Sequence, residues 1–229
     1  QTSLVGSEMC IRDRLNTIKS YAKINLFLNV VNKLDTGFHE LNSVLSRIDL
    51  YDEIRIKDES SFSISYNGPF GDQVGSNDHI SKLFNYLIDK NYLKQKSFAI
   101  HVVKNIPVGS GLGGGSSNVA EIIKYLIRSN LLDNSSSTEI ARDLGSDIEF
   151  FIDEGSALIS GKGNVDQRLK INSDKHFLIV FPNVQNSTKD IFNKHSNLSG
   201  EKFSYNKDTN LDGILKNTSN ELEKTALLA

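Results

Sequence analysis

The chain has 229 residues, 38% of them hydrophobic and 24% charged, with a formal net charge of −2. This length holds one large domain or two small ones, and the near-balanced charge offers no basic field for nucleic acid or an anionic membrane. Apolar runs stop at about six residues, short of the roughly 20 that a spanning helix needs. The single cysteine, Cys10, excludes an internal disulfide framework and a cysteine-rich zinc site. A reducing, cytoplasmic setting is the expectation.

Residues 1–14 show neither periodicity nor a targeting pattern and read as a non-native segment outside the fold. From Tyr21 onward, Ile24, Leu26, Leu28 and Val30 alternate with Lys23, Asn25, Phe27 and Asn29. That is strand periodicity, and it puts Lys23 and Asn25 on the face opposite the aliphatic one. Asp35-Thr36-Gly37 reads as a turn, with Phe38-His39-Glu40 following it. Ile54 and Ile56, then Phe62, Ile64 and Tyr66, predict two strands.

Ile80, Leu83, Phe84, Leu87 and Ile88 fall on one stripe of a helix. Phe98, Ile100 and Val102 return to period two. Beyond a glycine-rich stretch, Val119, Ile122, Ile123, Leu126 and Ile127 form a second helical stripe, with Ser116 or Ser117 placed to cap it. Ser136-x-x-Glu139 predicts a capping box opening a short helix that ends at Gly145. Strand-like Ala157 to Ser160 runs to a break at Gly161-Lys162-Gly163-Asn164. A further strand over 176–181, a helix from about Ser187 and a helical stretch near Asn220 complete the pattern. Helices and strands interleave, yet strands also run consecutively, which favours an α+β sandwich over a doubly wound sheet.

The stretch between strand and second helical stripe is Pro107-Val108-Gly109-Ser110-Gly111-Leu112-Gly113-Gly114-Gly115-Ser116-Ser117, with five glycines in seven positions. Glycine removes each Cβ that would hold a ligand off the backbone and permits the positive φ angles that turn successive N–H groups inward. Opening onto a helix N-terminus, such a loop suits phosphate, and a nucleotide is its natural owner. A Walker-type P-loop needs Gly-Lys-Ser/Thr, and no lysine follows Gly115. Gly109-x-Gly111-x-x-Gly114 satisfies the dinucleotide fingerprint only formally. Pro107 interrupts the strand-to-turn junction, and Asp133, near the ribose-carboxylate offset, follows a helix. A merely flexible turn is disfavoured by the entropy lost in ordering so many glycines.

Taken alone, Asp147 after Gly145 reads as a helix cap, Lys23 as solvent-exposed, Phe38 as core and His39 as a surface residue. The loop, however, resembles the ATP-binding motif of the GHMP kinases. Ala22-Lys23-Ile24-Asn25-Leu26, Gly37-Phe38-His39-Glu40-Leu41 and Leu144-Gly145-Ser146-Asp147 match that family in the same order, with Ser187-Thr188 as a weaker fifth segment. Within it the chain is similar to kinases that phosphorylate a cytidine-diphosphate-linked polyol in non-mevalonate isoprenoid synthesis.

The resemblance implies a two-domain α+β fold. An N-terminal ribosomal protein S5 domain 2-like sandwich would span 15–165, and an incomplete ferredoxin-like domain 166–229. It implies ATP as co-substrate on 107–117, magnesium with unassigned ligands, and a small cytidine diphosphate substrate, with no protein partner. Asp147 would take the hydroxyl proton and Lys23 would keep that carboxylate ionised. Phe38 and His39 would hold the cytosine, with Asn25 and Thr188 near the substrate. Phe38, Asn118 and Glu149 depart from the tyrosine, aspartate and proline common at those positions. A second glycine-rich motif beyond Glu223 is also missing, which reads as a C-terminal truncation. Another GHMP kinase acting on a small alcohol, or an inactive nucleotide-binding fragment, are the alternatives.

Overall fold

Two long antiparallel strands organise the sheet. β1 (Thr17–Lys33) and β2 (His39–Asp58) pair from Thr17 opposite Arg55 to Lys33 opposite His39. The turn between them is closed by Leu34 N donating to Phe38 O at 2.8 Å, with Gly37 at φ +81°. The computed structural model describes residues 17–35, 37–76, 78–94, 98–171, 175–182, 188–195, 198, 202, 211–216 and 220–227. The segment 1–14, read as non-native, lies outside them.

β2 is the central strand. Its first half pairs antiparallel with β5 (Ser156–Gly161) and its second half with β4 (Phe98–Val103). β3 (Ser63–Asn67) joins β4 in parallel and β6 (Asn164–Leu169) joins β5 antiparallel, giving the order β3-β4-β2-β5-β6 with β1 on β2. The β5–β6 hairpin carries the sheet to Leu169.

Helices α1 (His79–Asp89), α2 (Gly114–Arg128), α3 (Ser137–Leu144) and α4 (Ser146–Ile152) pack their apolar stripes on the sheet. Ile54, Ile56, Ile100 and Val102 there meet Leu83, Phe84, Ile122, Ile123 and Phe150 in the main core. A smaller cluster joins Phe27, Val44, Leu158 and Leu169 to Leu211 and Ile214. Those last two residues lie on α6 (Leu211–Lys216), and α5 (Thr188–Lys194) and α7 (Glu223–Leu227) are the remaining described helices. The expected α+β class holds.

Five local expectations change. Register shifts at Tyr21/Lys23, Asn25/Phe27 and Val30/Asn32 break the alternation of β1, so Phe27 is buried in the smaller core rather than on a polar face. A bulge exchanges the faces of every following side chain. β2 starts at His39, far ahead of Ile54, because residues 42–45 are buried in succession and show no period-two signal. α2 starts at Gly114, with Gly113 as a left-handed N-cap at φ +74°, so Ser116 and Ser117 fall inside its first turn and cap nothing. Ser136 precedes α3 as expected but makes no capping bond, and Asp133 instead accepts from Ser135 N. Residues 176–181 form no strand: no described strand lies beside them to take their backbone bonds, and Leu178 and Val180 are 89% and 79% exposed.

Candidate active site

The glycine loop joins β4 to α2 and is tied to β1 by Lys23 N donating to Leu112 O at 2.9 Å. Gly109, Gly111 and Gly113 take φ of +72°, +75° and +74°, the left-handed conformation in which only glycine is unstrained. Two helix N-termini face the same cleft of about 440 Å³. At α1, Asp78 already accepts from Ile80 N at 2.8 Å and Ser81 N at 2.9 Å, and Tyr66 OH donates to it at 2.6 Å. α2 has no side-chain cap, so its first-turn amides lack helical partners and its positive dipole end is open to an anion.

The glycines answer two separate demands. A Cβ on Gly113 would lie 2.9 Å from the Phe151 ring and 3.1 Å from the Lys23 stem, and one on Gly114 would lie 2.9 Å from Ile106. Those two are required by packing. A Cβ on Gly111 meets nothing within 4 Å and would project into free space. Gly111→Ala is therefore expected to weaken ATP binding about tenfold, at a stability cost near 1–2 kcal/mol from the left-handed backbone. Nucleotide titration and urea unfolding read the two effects separately, and unchanged affinity would take the phosphates off this loop.

Asp147 is the second residue of α4 and makes no cap bond, its side chain 41% exposed toward the cleft. Lys23 is buried rather than solvent-exposed, with its Nζ 3.7 Å from Asp147 Oδ2. The same ammonium donates to Asn25 Oδ1 at 2.8 Å, and Asn25 Nδ2 donates to Ser43 Oγ at 2.9 Å. The Ser43 hydroxyl donates to Phe27 O at 2.6 Å. This chain of bonds fixes the lysine against a carboxylate at the cleft mouth. Among the described residues no group of three or more His, Cys, Asp and Glu side chains could hold a metal ion.

Of the eleven loop residues, Leu112 and Ser117 do not line the cleft. Leu112 anchors β1, and Ser117 is buried, accepting from Ser20 Oγ at 2.8 Å. Phe38 is 61% exposed, not core. His39 stacks on Phe192 with centroids 5.4 Å apart. Burial, then the Lys33 and His195 charges, hold its pKa below the usual histidine value. Thr188 opens α5, the helix that carries Phe192.

Sequence reasoning missed a buried polar network behind the loop. The Lys104 ammonium pairs with Asp52, whose Oδ1 also accepts from Asn105 N at 2.8 Å and Ile106 N at 2.9 Å. Asn118 Nδ2 donates to Asp52 Oδ2 at 3.0 Å and to Ser20 Oγ at 2.9 Å. Asn118 is thus held inside this network. Asp52 fixes the segment that enters the loop.

His79, the first residue of α1, lies against Gly115. Burial foremost, then Lys82, push its pKa down against an upward pull from Asp78, with Lys104 adding a smaller downward push. Its unfolded form takes a proton near pH 6.5 that the folded form resists. Its contribution to stability is therefore complete above that pH and lost as pH falls toward the folded pKa. Urea midpoints measured downward from about pH 7.5 should fall less in His79→Asn than in the parent chain.

The GHMP kinases N-terminal domain model matches residues 78–158. A 4-diphosphocytidyl-2-C-methyl-D-erythritol kinase from Pelagibacter ubique (strain HTCC1062) is 36% identical over 215 residues, covering 92% of this chain and 76% of that one. The chain belongs to this kinase family. A second member, from Prochlorococcus marinus (strain MIT 9301), is 38% identical over 183 residues, 79% of this chain and 59% of its own length. The fold agrees as well. A crystal structure of 4-(cytidine 5'-diphospho)-2C-methyl-D-erythritol kinase superposes with a TM-score of 0.66 at 24% identity, over 93% of this chain and 77% of the other. The kinase family's domain match takes in the glycine loop, α2 and Asp147.

Proposed function

We propose that this kinase transfers the γ-phosphoryl group of ATP to the 2-hydroxyl of 4-diphosphocytidyl-2-C-methyl-D-erythritol. The observation that carries the reading is the Lys23–Asp147 pair, 3.7 Å apart, beside a glycine loop that opens on an uncapped helix. The ATP phosphates take the loop amides and the start of α2. Asp147 accepts the hydroxyl proton as the substrate oxygen bonds to the γ-phosphorus, and the bond to the bridging oxygen breaks to leave ADP. Lys23, 3.7 Å from the acid, offsets charge on the phosphoryl group in flight. Phosphoryl transfer asks the protein for little else.

Magnesium carried by the triphosphate would neutralise phosphate charge there. Such an ion characteristically takes one or two carboxylates plus phosphates and waters. At the far end Phe38 offers a flat apolar face. His39, kept neutral, offers one donor and one acceptor nitrogen to a cytosine edge. Incubating the chain with ATP and this substrate, then with homoserine or mevalonate, tests the reading by ADP release and phosphorus NMR of the product. Transfer to the cytidine substrate alone is expected. Transfer to a small alcohol in its place would overturn the assignment.

A further inference from the structure

The turn between β5 and β6 stands between the two ends of the site. Gly163 approaches Ser146 so closely that a Cβ there would lie 2.7 Å from Ser146 Cβ, one residue from Asp147. On the other side Gly161 pairs with Leu41, two residues beyond His39. Gly161 and Gly163 both take positive φ, +60° and +111°, and carry no side chains, so Lys162 alone projects from the stretch between them. Its ammonium lies 5.0 Å from the Phe38 ring centroid. It makes no ion pair among the described residues.

We propose that Lys162 is a specificity-determining residue that binds the diphosphate of the substrate. This rests on the reading above, in which Phe38 and His39 take the base and Asp147 the acceptor hydroxyl. A nucleoside-diphosphate-linked polyol held that way must lay its diphosphate across the interval between those residues, and the hairpin tip occupies that interval. Of the other nearby cations, Lys23 is engaged with Asn25 and Asp147, Lys104 with Asp52, and Lys202 with Glu40 at 2.6 Å, while Lys33 stands opposite His39 at the base end. Lys162 meets only an aromatic face, a weak contact at an exposed site, and exchanges it for a phosphate oxygen when substrate arrives.

Direct titration of the chain with cytidine and with cytidine diphosphate, in the parent and in Lys162→Ala, Lys162→Gln and Lys162→Arg, tests this. The alanine and glutamine variants should lose about tenfold in affinity for the diphosphate with cytidine and ATP affinities unaltered, and the arginine variant should retain it. Added salt should erode diphosphate binding by the parent and leave cytidine binding in place. Equal loss of cytidine and cytidine diphosphate would overturn the inference, since Lys162 would then only support the Phe38 ring. No loss of either would overturn it too. If cytidine fails to bind the parent chain, the base-binding reading itself has fallen, and the Lys162 inference goes with it.

Discussion

Asp147→Asn is expected to lower kcat by roughly 10²- to 10⁴-fold, the usual contribution of a positioned proton acceptor. Asparagine keeps the size of the side chain and the start of α4, but its amide cannot take up the hydroxyl proton. Affinity for ATP should persist, because the loop amides and the α2 terminus lie on other elements. Stability should also hold. The ion pair lost is partly exposed at 3.7 Å, and such pairs contribute about 1 kcal/mol or less. ADP-release kinetics and a separate nucleotide titration measure the two quantities. Parent-like turnover would remove Asp147 from proton transfer.

Asp52→Leu should cost about 3–5 kcal/mol of stability, because it strands the Lys104 ammonium in the interior. Both partners are almost wholly enclosed, and the carboxylate also accepts from Asn105 N, Ile106 N and Asn118. Removing both charges together, in Asp52→Leu with Lys104→Met, should recover much of that loss, since well-packed apolar pairs often replace buried ion pairs without penalty. Urea unfolding of the two single variants and the double variant reads the difference. A loss below about 1 kcal/mol for Asp52→Leu would mean that the lysine reaches water in the folded chain. The variant should also weaken ATP binding, because the backbone donors held by Asp52 lead directly into Pro107.

The parts of this molecule legible in its sequence are those whose signal is local. The stripes of α1 and α2 and the alternation of β4 follow from burial of one face, and the structure has them at the expected positions. The glycine run marks a close backbone approach, although only the structure separates Gly113 and Gly114, crowded by neighbours, from Gly111, which faces open space. Serine after glycine reads as a cap. Here tertiary packing extends the helix back through two poor helix formers and overrides propensity. The Asp52–Lys104 pair joins residues on β2 and beyond β4 that become neighbours only through strand pairing, so nothing in either local sequence announces it. The long β2 was obscured for a related reason: covered on both faces in its first half, it loses the period-two pattern. Lys23 looked solvent-exposed until the bulges of β1 turned it inward.

The ring of Phe151 lies only 2.9 Å from where a Cβ of Gly113 would be, and Phe151 belongs to the same short helix as Asp147. The turn that would seat a triphosphate and the segment that bears the acid are thus wedged against each other. Neither can drift without dislodging its neighbour. On the proposed reading, a nucleotide settling into that seat would steady Asp147 from behind.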